Sequence, residues 1–178
     1  MLHKCSILKV ANVFFIEPSL QHYLKEISKK ANLSHTSTKT HLLELKRLNI
    51  IEEHIEKKGK RNFPIFRANI NNPDYRKYKQ INNLYQLHES KLIEFISDSL
   101  MPKSIVLFGS YLRGEDIEDS DIDLFVECKK ETILISKYEK ILNRKIQLHF
   151  KDNFNKFPLE LKNNIINGLT IKGNLELK

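Results

Sequence analysis

Apolar residues recur at helical spacing through much of the first hundred positions and at strand spacing beyond them. Ile7, Val10, Phe14 and Phe15 predict a first helix that Pro18 stops, and Leu24, Ile27 and Ala31 predict a second. Ser34 suits the N-cap of a third helix, whose apolar stripe is Leu42, Leu45 and Leu48. Ile50-Ile51 and residues 63–70 then read as two strands joined by a polar turn over 56–62. Asn72 as a cap and Pro73 at the first helical position open a long helical segment. Tyr78, Ile81, Tyr85, His88, Leu92 and Phe95 keep its spacing towards Leu100. Such a helix connects two halves of a chain, and a helix that makes a homodimer shows the same stripe.

The second half opens on the continuous apolar run Ile105-Val106-Leu107-Phe108, which has the length of a buried strand. Gly109-Ser110 follows, then a short helical stretch, then a polar run over 114–120. Residues 121–126 alternate carboxylate and hydrophobe as the next strand. Residues 145–150 alternate again, with Lys145, Gln147 and His149 on one face. Helices are expected over about 131–142 and over 158–167, the latter ended by Gly168.

Composition narrows the class. The 178 residues are 40% hydrophobic and 29% charged, enough apolar material for one ordinary domain or two small ones. Lys+Arg exceeds Asp+Glu by 30 − 22, a formal charge of +8, which favours an anionic partner. The excess is uneven: residues 1–100 carry 17 − 10 = +7 and residues 101–178 carry 13 − 12 = +1. No apolar stretch approaches the ~20 residues of a membrane-spanning helix, so no membrane association is expected. Met1 to Lys4, with Lys9 soon after, open no signal peptide. Cys5 and Cys128 have no companions at metal-ligand spacing, and the seven histidines are scattered. A reducing, cytoplasmic setting is the expectation.

The chemistry concentrates in one stretch. Asp121 and Asp123 lie two apart on a strand, so both carboxylates leave one face roughly 6–7 Å apart. Ile122, Leu124 and Val126 fix that orientation by facing a core. Two hard oxygen donors on one ledge suit Mg²⁺, which keeps waters and phosphate oxygens as further ligands. Gly109 lets a backbone approach a phosphate, and the Ser110 hydroxyl and nearby N–H groups can donate to it. Arg113 adds a cation.

Strand, Gly109-Ser110, ten residues and Asp121-x-Asp123 together resemble the DNA polymerase β-like nucleotidyltransferases, particularly the minimal ones, over about residues 102–173. The resemblance implies a mixed sheet flanked by helices, two Mg²⁺ ions, and transfer of a nucleoside monophosphate from ATP or another NTP. On it, Asp121 and Asp123 are catalytic and hold metal, while Gly109, Ser110 and Arg113 bind nucleotide. The family commonly has a third acid on the next core strand, where this chain has Gln147. Related minimal nucleotidyltransferases act as antitoxins that adenylylate a HEPN-domain toxin, which makes a protein hydroxyl one acceptor and a HEPN-domain protein one partner.

The first half, about residues 4–70, resembles a winged helix-turn-helix. That resemblance implies duplex DNA as a partner, met by Thr36, Ser37, Lys39, Thr40 and Arg47 on the third helix and by Lys57, Lys58, Lys60 and Arg61 on the wing. The expected architecture is therefore α+β: a winged helix-turn-helix over 1–72, a connecting helix over 73–100 and a nucleotidyltransferase domain over 101–178. Its alternative function is that of a DNA-binding transcriptional regulator or antitoxin whose nucleotidyltransferase domain is degenerate or only senses nucleotide.

Overall fold

The computed structural model describes residues 5–151 and 154–175, apart from the side chain of Asn155. Met1 to Lys4, read above for a signal peptide, lie outside the described residues. The chain divides into two compact units, Met1–Lys79 and Gln80–Lys178.

The first unit begins with α1 (Ser6–Ile16), which buries Val10, Val13, Phe14 and Phe15. A short strand β1 (Gln21–Tyr23) follows and runs directly into α2 (Leu24–Ala31). The Tyr23 backbone N–H donates to Glu26 Oε2 at 2.9 Å where α2 begins, and Asn32, with φ 53°, turns the chain out of it. Ser34 is the N-cap of α3 (His35–Arg47), its hydroxyl accepting from the Ser37 N–H at 3.2 Å. Strands β2 (Ile51–Lys58) and β3 (Arg61–Ala68) pair antiparallel from Ile51↔Ala68 to Lys58↔Arg61. β1 adds to β3, giving the order β1-β3-β2.

Three features differ from expectation here. The strands continue through most of the polar segment 56–62, leaving a two-residue turn at Gly59-Lys60, because cross-strand pairing tolerates exposed cations on a hairpin open to water. Leu48 does not belong to the buried stripe of α3: it lies beyond the last helical residue and is 49% exposed, and Thr38 fills the buried face instead. β1 escaped notice because three residues carry too little periodicity to register.

Helix α4 (Pro73–Ser90) contains the division between the units. Its buried positions are Tyr75, Lys79, Asn83, Leu87 and Ser90, whereas Tyr78, Ile81 and His88 from the predicted stripe are exposed. A buried face that includes a lysine and an asparagine defeats a reading based on hydrophobic period. The predicted long helix is also two. Lys91, at φ 62°, breaks it, and the Ser90 hydroxyl accepts the Leu92 N–H at 3.2 Å as α5 (Leu92–Leu100) begins. Met101, before Pro102, takes a left-handed conformation and stops α5.

The second unit is a four-stranded mixed sheet. β4 (Ser104–Phe108) leads into the short helix α6 (Gly109–Arg113). Next come β5 (Ile122–Val126), α7 (Ser136–Leu142), β6 (Ile146–Phe150), a 3₁₀ turn at Phe154–Lys156, α8 (Leu159–Ile166) and β7 (Leu169–Gly173). The order is β6-β5-β4-β7, with β5 and β6 parallel and β4 antiparallel to both neighbours. Ile105, Leu107, Ile122 and Leu124 pack on one face with Leu92, Ile96 and Leu142. Val106, Phe108 and Phe125 pack on the other with Phe154 and Ile165. α7 starts five residues later than predicted, since residues 131–135 are not helical, and Ile133 and Ile135 reach the core from that segment. β7 was not predicted: only Ile171 among its five residues is even half-buried, so its sequence carries no inward stripe.

Candidate active site

β4 is buried at every position and delivers the chain to Gly109, whose φ of +80° re-aims it into α6. Phe108 pairs with Asp123 across the antiparallel ladder, so the second aspartate stands beside this turn. Asp121 precedes β5 by one residue. Its approach is fixed from both sides: the Ser120 hydroxyl accepts from the Ile117 N–H at 2.9 Å, and the Ile122 N–H donates to the Lys145 carbonyl at 2.8 Å. Gly109, Asp121 and Asp123 are thus brought to one end of the sheet, with both carboxylates half-buried.

β6 supplies a second layer to the same face. Its parallel register sets Gln147 beside Asp123. The Gln147 amide Nε2 donates to Asp121 Oδ2 at 3.0 Å, and His149 Nε2 lies 3.1 Å from Asp123 Oδ1. An ionised carboxylate only accepts, so the His149 ring carries its hydrogen on Nε2 in this contact. The ring also leans on Phe108, with centroids 5.1 Å apart. Each aspartate is therefore held by one side chain from β6.

Arg113 points its Nε at Glu115 Oε2, 2.8 Å away, and is exposed. Ser110 lies half-buried in the first turn of α6. Among the proposed nucleic-acid contacts, Lys39 and Thr40 are exposed on α3, and Ser37 is half-buried. Lys57, Lys60 and Arg61 are exposed at the hairpin tip. Lys58 is engaged: its Nζ donates to the Tyr23 hydroxyl at 2.5 Å, lies 3.2 Å from Glu56, and sits over the Tyr23 ring. Tyr23 in turn donates to Glu56.

Sequence reasoning missed the buried frame behind the site. Asp116, 2% exposed, accepts from Asn83 Nδ2 at 2.8 Å and from Arg144 at 3.1 Å. Asn83 also donates to the Tyr111 carbonyl at 2.9 Å, and the Tyr111 hydroxyl returns a bond to the Asn83 carbonyl at 3.2 Å. Burial, with the Asp116 carboxylate nearby, raises the Tyr111 phenol far above its ordinary value, so it remains a donor. These contacts tie α4, α6, the 114–120 segment and the start of β6 together. Only an asparagine inside a helical run hinted at them.

The donor set fits a hard divalent cation. Among the described residues no three His, Cys, Asp or Glu side chains form a metal cluster. Mg²⁺ does not need one, since it is commonly held by one or two carboxylates with phosphate oxygens and water completing the octahedron.

A mixed sheet, a glycine-serine turn and paired carboxylates at one sheet end define the nucleotidyltransferase class. Residues 89–171 match the family described as Nucleotidyltransferase domain. Two Methanocaldococcus jannaschii proteins, each provisionally named a protein adenylyltransferase, are similar to the chain. One is 43% identical over 63 residues, 31% of this chain and 63% of that protein. The other is 35% identical over 80 residues, 42% of this chain and 88% of that protein. The chain belongs to the nucleotidyltransferase domain family. It spans somewhat under two thirds of the first relative, at 63% of its length. No solved structure gives a significant match. Among the described residues no helix is long and apolar enough to cross a membrane.

Proposed function

We propose that the second unit transfers AMP from ATP to a hydroxyl of a protein or nucleic-acid acceptor, with Mg²⁺ at Asp121 and Asp123. The observation that supports this reading best is the Asp123 carboxylate beside the Gly109 turn, with Asp121 two residues before it and joined to the same layer through Gln147. A divalent cation there supplies charge neutralisation for the triphosphate. The close backbone at Gly109 and the Ser110 hydroxyl bind phosphate oxygens. Arg113 can exchange its contact with Glu115 for a phosphate, because that ion pair is solvent-exposed and cheap to break. The acceptor hydroxyl gives up its proton to solvent as its oxygen bonds to the α-phosphorus, the α–β anhydride bond breaks, and pyrophosphate leaves. Gln147 and His149 keep the carboxylates oriented throughout. The names of the two relatives favour a protein acceptor.

Incubation with α-labelled ATP, Mg²⁺ and candidate acceptors tests the reading. Label should pass to an acceptor with the wild-type chain and be lost in Asp121→Ala and Asp123→Ala. Transfer that survives both substitutions rules out the assigned roles.

A second reading concerns the first unit, for which residues 1–72 would form a winged helix-turn-helix on duplex DNA, with 73–100 joining it to a domain over 101–178. It is favoured by the exposed cations Lys57, Lys60 and Arg61 around the two-residue hairpin turn, and by Lys39 and Thr40 exposed on α3. In that case the nucleotide site regulates binding, and the chain serves as a regulator or antitoxin. Both activities can reside in one molecule.

A further inference from the structure

We infer that this centre takes one divalent cation with its nucleotide, not two, and that Gln147 sets the number. The inference deepens the transferase reading and rests on it. Position 147 is in parallel register with Asp123, and its side chain reaches Asp121, so it stands where a third ligand of the carboxylate face would enter. The residue there is a neutral amide, and its nitrogen faces the Asp121 oxygen because a carboxylate can only accept. Turned this way, the amide offers Asp121 a hydrogen and brings no negative charge to the face. His149 occupies Asp123 Oδ1 in the same manner. One oxygen of each aspartate thereby accepts from β6, and Asp123 Oδ2 is turned to Gly109.

Glu127 and Glu115 do not make up the deficit. Glu127 shares the alternation of Asp121 and Asp123 but accepts from the Ser104 hydroxyl at 2.8 Å, towards the opposite end of β5. Glu115 holds Arg113. The protein therefore contributes two negative charges. These balance one divalent ion. A second ion about 3.5–4 Å from the first would meet the repulsion of another +2 charge with the triphosphate, but no third protein carboxylate, to offset it.

Counting bound Mn²⁺ by electron paramagnetic resonance, on the full chain with α,β-methylene ATP, tests this without turnover. Wild type should hold one Mn²⁺ per chain with an uncoupled spectrum. Gln147→Asp should hold two, the second at least about tenfold tighter than any second ion of wild type, with the spin coupling of adjacent ions. Gln147→Ala, which removes the donor and adds no charge, should stay at one. Two coupled ions in wild type overturn the inference, as does a single ion in a folded Gln147→Asp. Should Gln147→Asp fail to fold, the wild-type and Gln147→Ala spectra decide: one uncoupled ion in each supports it, and a coupled pair in either overturns it. Failure of wild type to bind the nucleotide at all overturns the transferase reading, and the inference with it. A count of two with nucleotide bound overturns the inference alone.

Discussion

The Oδ2 atom of Asp123 lies 2.5 Å from the point where a Cβ on Gly109 would stand. The turn and the carboxylate therefore exclude any side chain between them, and the site's geometry depends on a missing methyl group. Gly109→Ala must keep φ at +80°, which costs a residue with a Cβ about 1–2 kcal/mol. The Asp123 carboxylate is the part able to yield, at the expense of its bond to His149. Denaturant unfolding should show that modest loss, while calorimetry with ATP and Mg²⁺ should show a much larger loss of binding. In an Asp123→Ala background the same glycine substitution should cost only the backbone strain. Equal effects on binding and stability, or full additivity, would disprove the steric coupling.

The frame behind the site makes a different demand. Asp116 and Arg144 are 2% and 6% exposed, and removing one member leaves the other charge buried without its counter-ion. Asp116→Ala should lower stability by about 3–5 kcal/mol. Asn83→Ala should cost about 1–3 kcal/mol by removing one donor from the Tyr111 carbonyl and one from the buried Asp116 carboxylate. Because Asn83 also holds the residue two after Gly109, its loss should weaken nucleotide binding even where the protein remains folded. Urea titration paired with ATP binding checks both. A change below about 1 kcal/mol for Asp116→Ala would argue that the pair is not buried as described.

The carboxylate ledge was legible because its signal is local. Two aspartates separated by one isoleucine on a strand, ten residues after a glycine-serine turn, constrain one another through bonded geometry alone. Ser34 as a cap was legible for the same reason. The Asp116–Arg144–Asn83 frame was not, since its partners lie 28 and 33 residues apart and each looks like an ordinary surface residue in its own segment. The stripe of α4 was misread because Lys79 and Asn83 take buried places usually given to leucine. β7 has an exposed pattern and exists through backbone pairing with β4. The exchange of partners at the site, Gln147 to Asp121 and His149 to Asp123, required a register that alternation alone does not fix.

If the hairpin meets duplex DNA, its cations should be visible in the salt dependence of binding. Each phosphate contact steepens the fall of log K with log salt by about 0.9. Lys57, Lys60 and Arg61 are exposed, so replacing all three with alanine should flatten the slope by up to about 3. Lys58→Ala should do less, since its ammonium is already shared between Tyr23 and Glu56. Fluorescence anisotropy on a labelled duplex across a salt series gives the slopes. An unchanged slope in the triple variant would remove the hairpin from any DNA interface.

His22 gives the first unit a dependence on pH whose sign can be worked out. Its imidazole is 3% exposed and meets the edge of Phe14, with centroids 5.7 Å apart. Burial lowers its pKa below the ordinary value, and the Lys30 ammonium lowers it further. Glu17, 3.3 Å from Nε2, and the more distant Glu26 oppose this without reversing it. The folded unit thus prefers neutral imidazole. The resulting stability is complete above the unfolded-state pKa near ~6.5 and is lost as pH falls through the lowered folded value. Unfolding midpoints in urea should decline from pH 7 to pH 5 more steeply in wild type than in His22→Phe, which keeps the ring contact and removes the titration. Parallel pH profiles for the two proteins would show that His22 is not the group responsible.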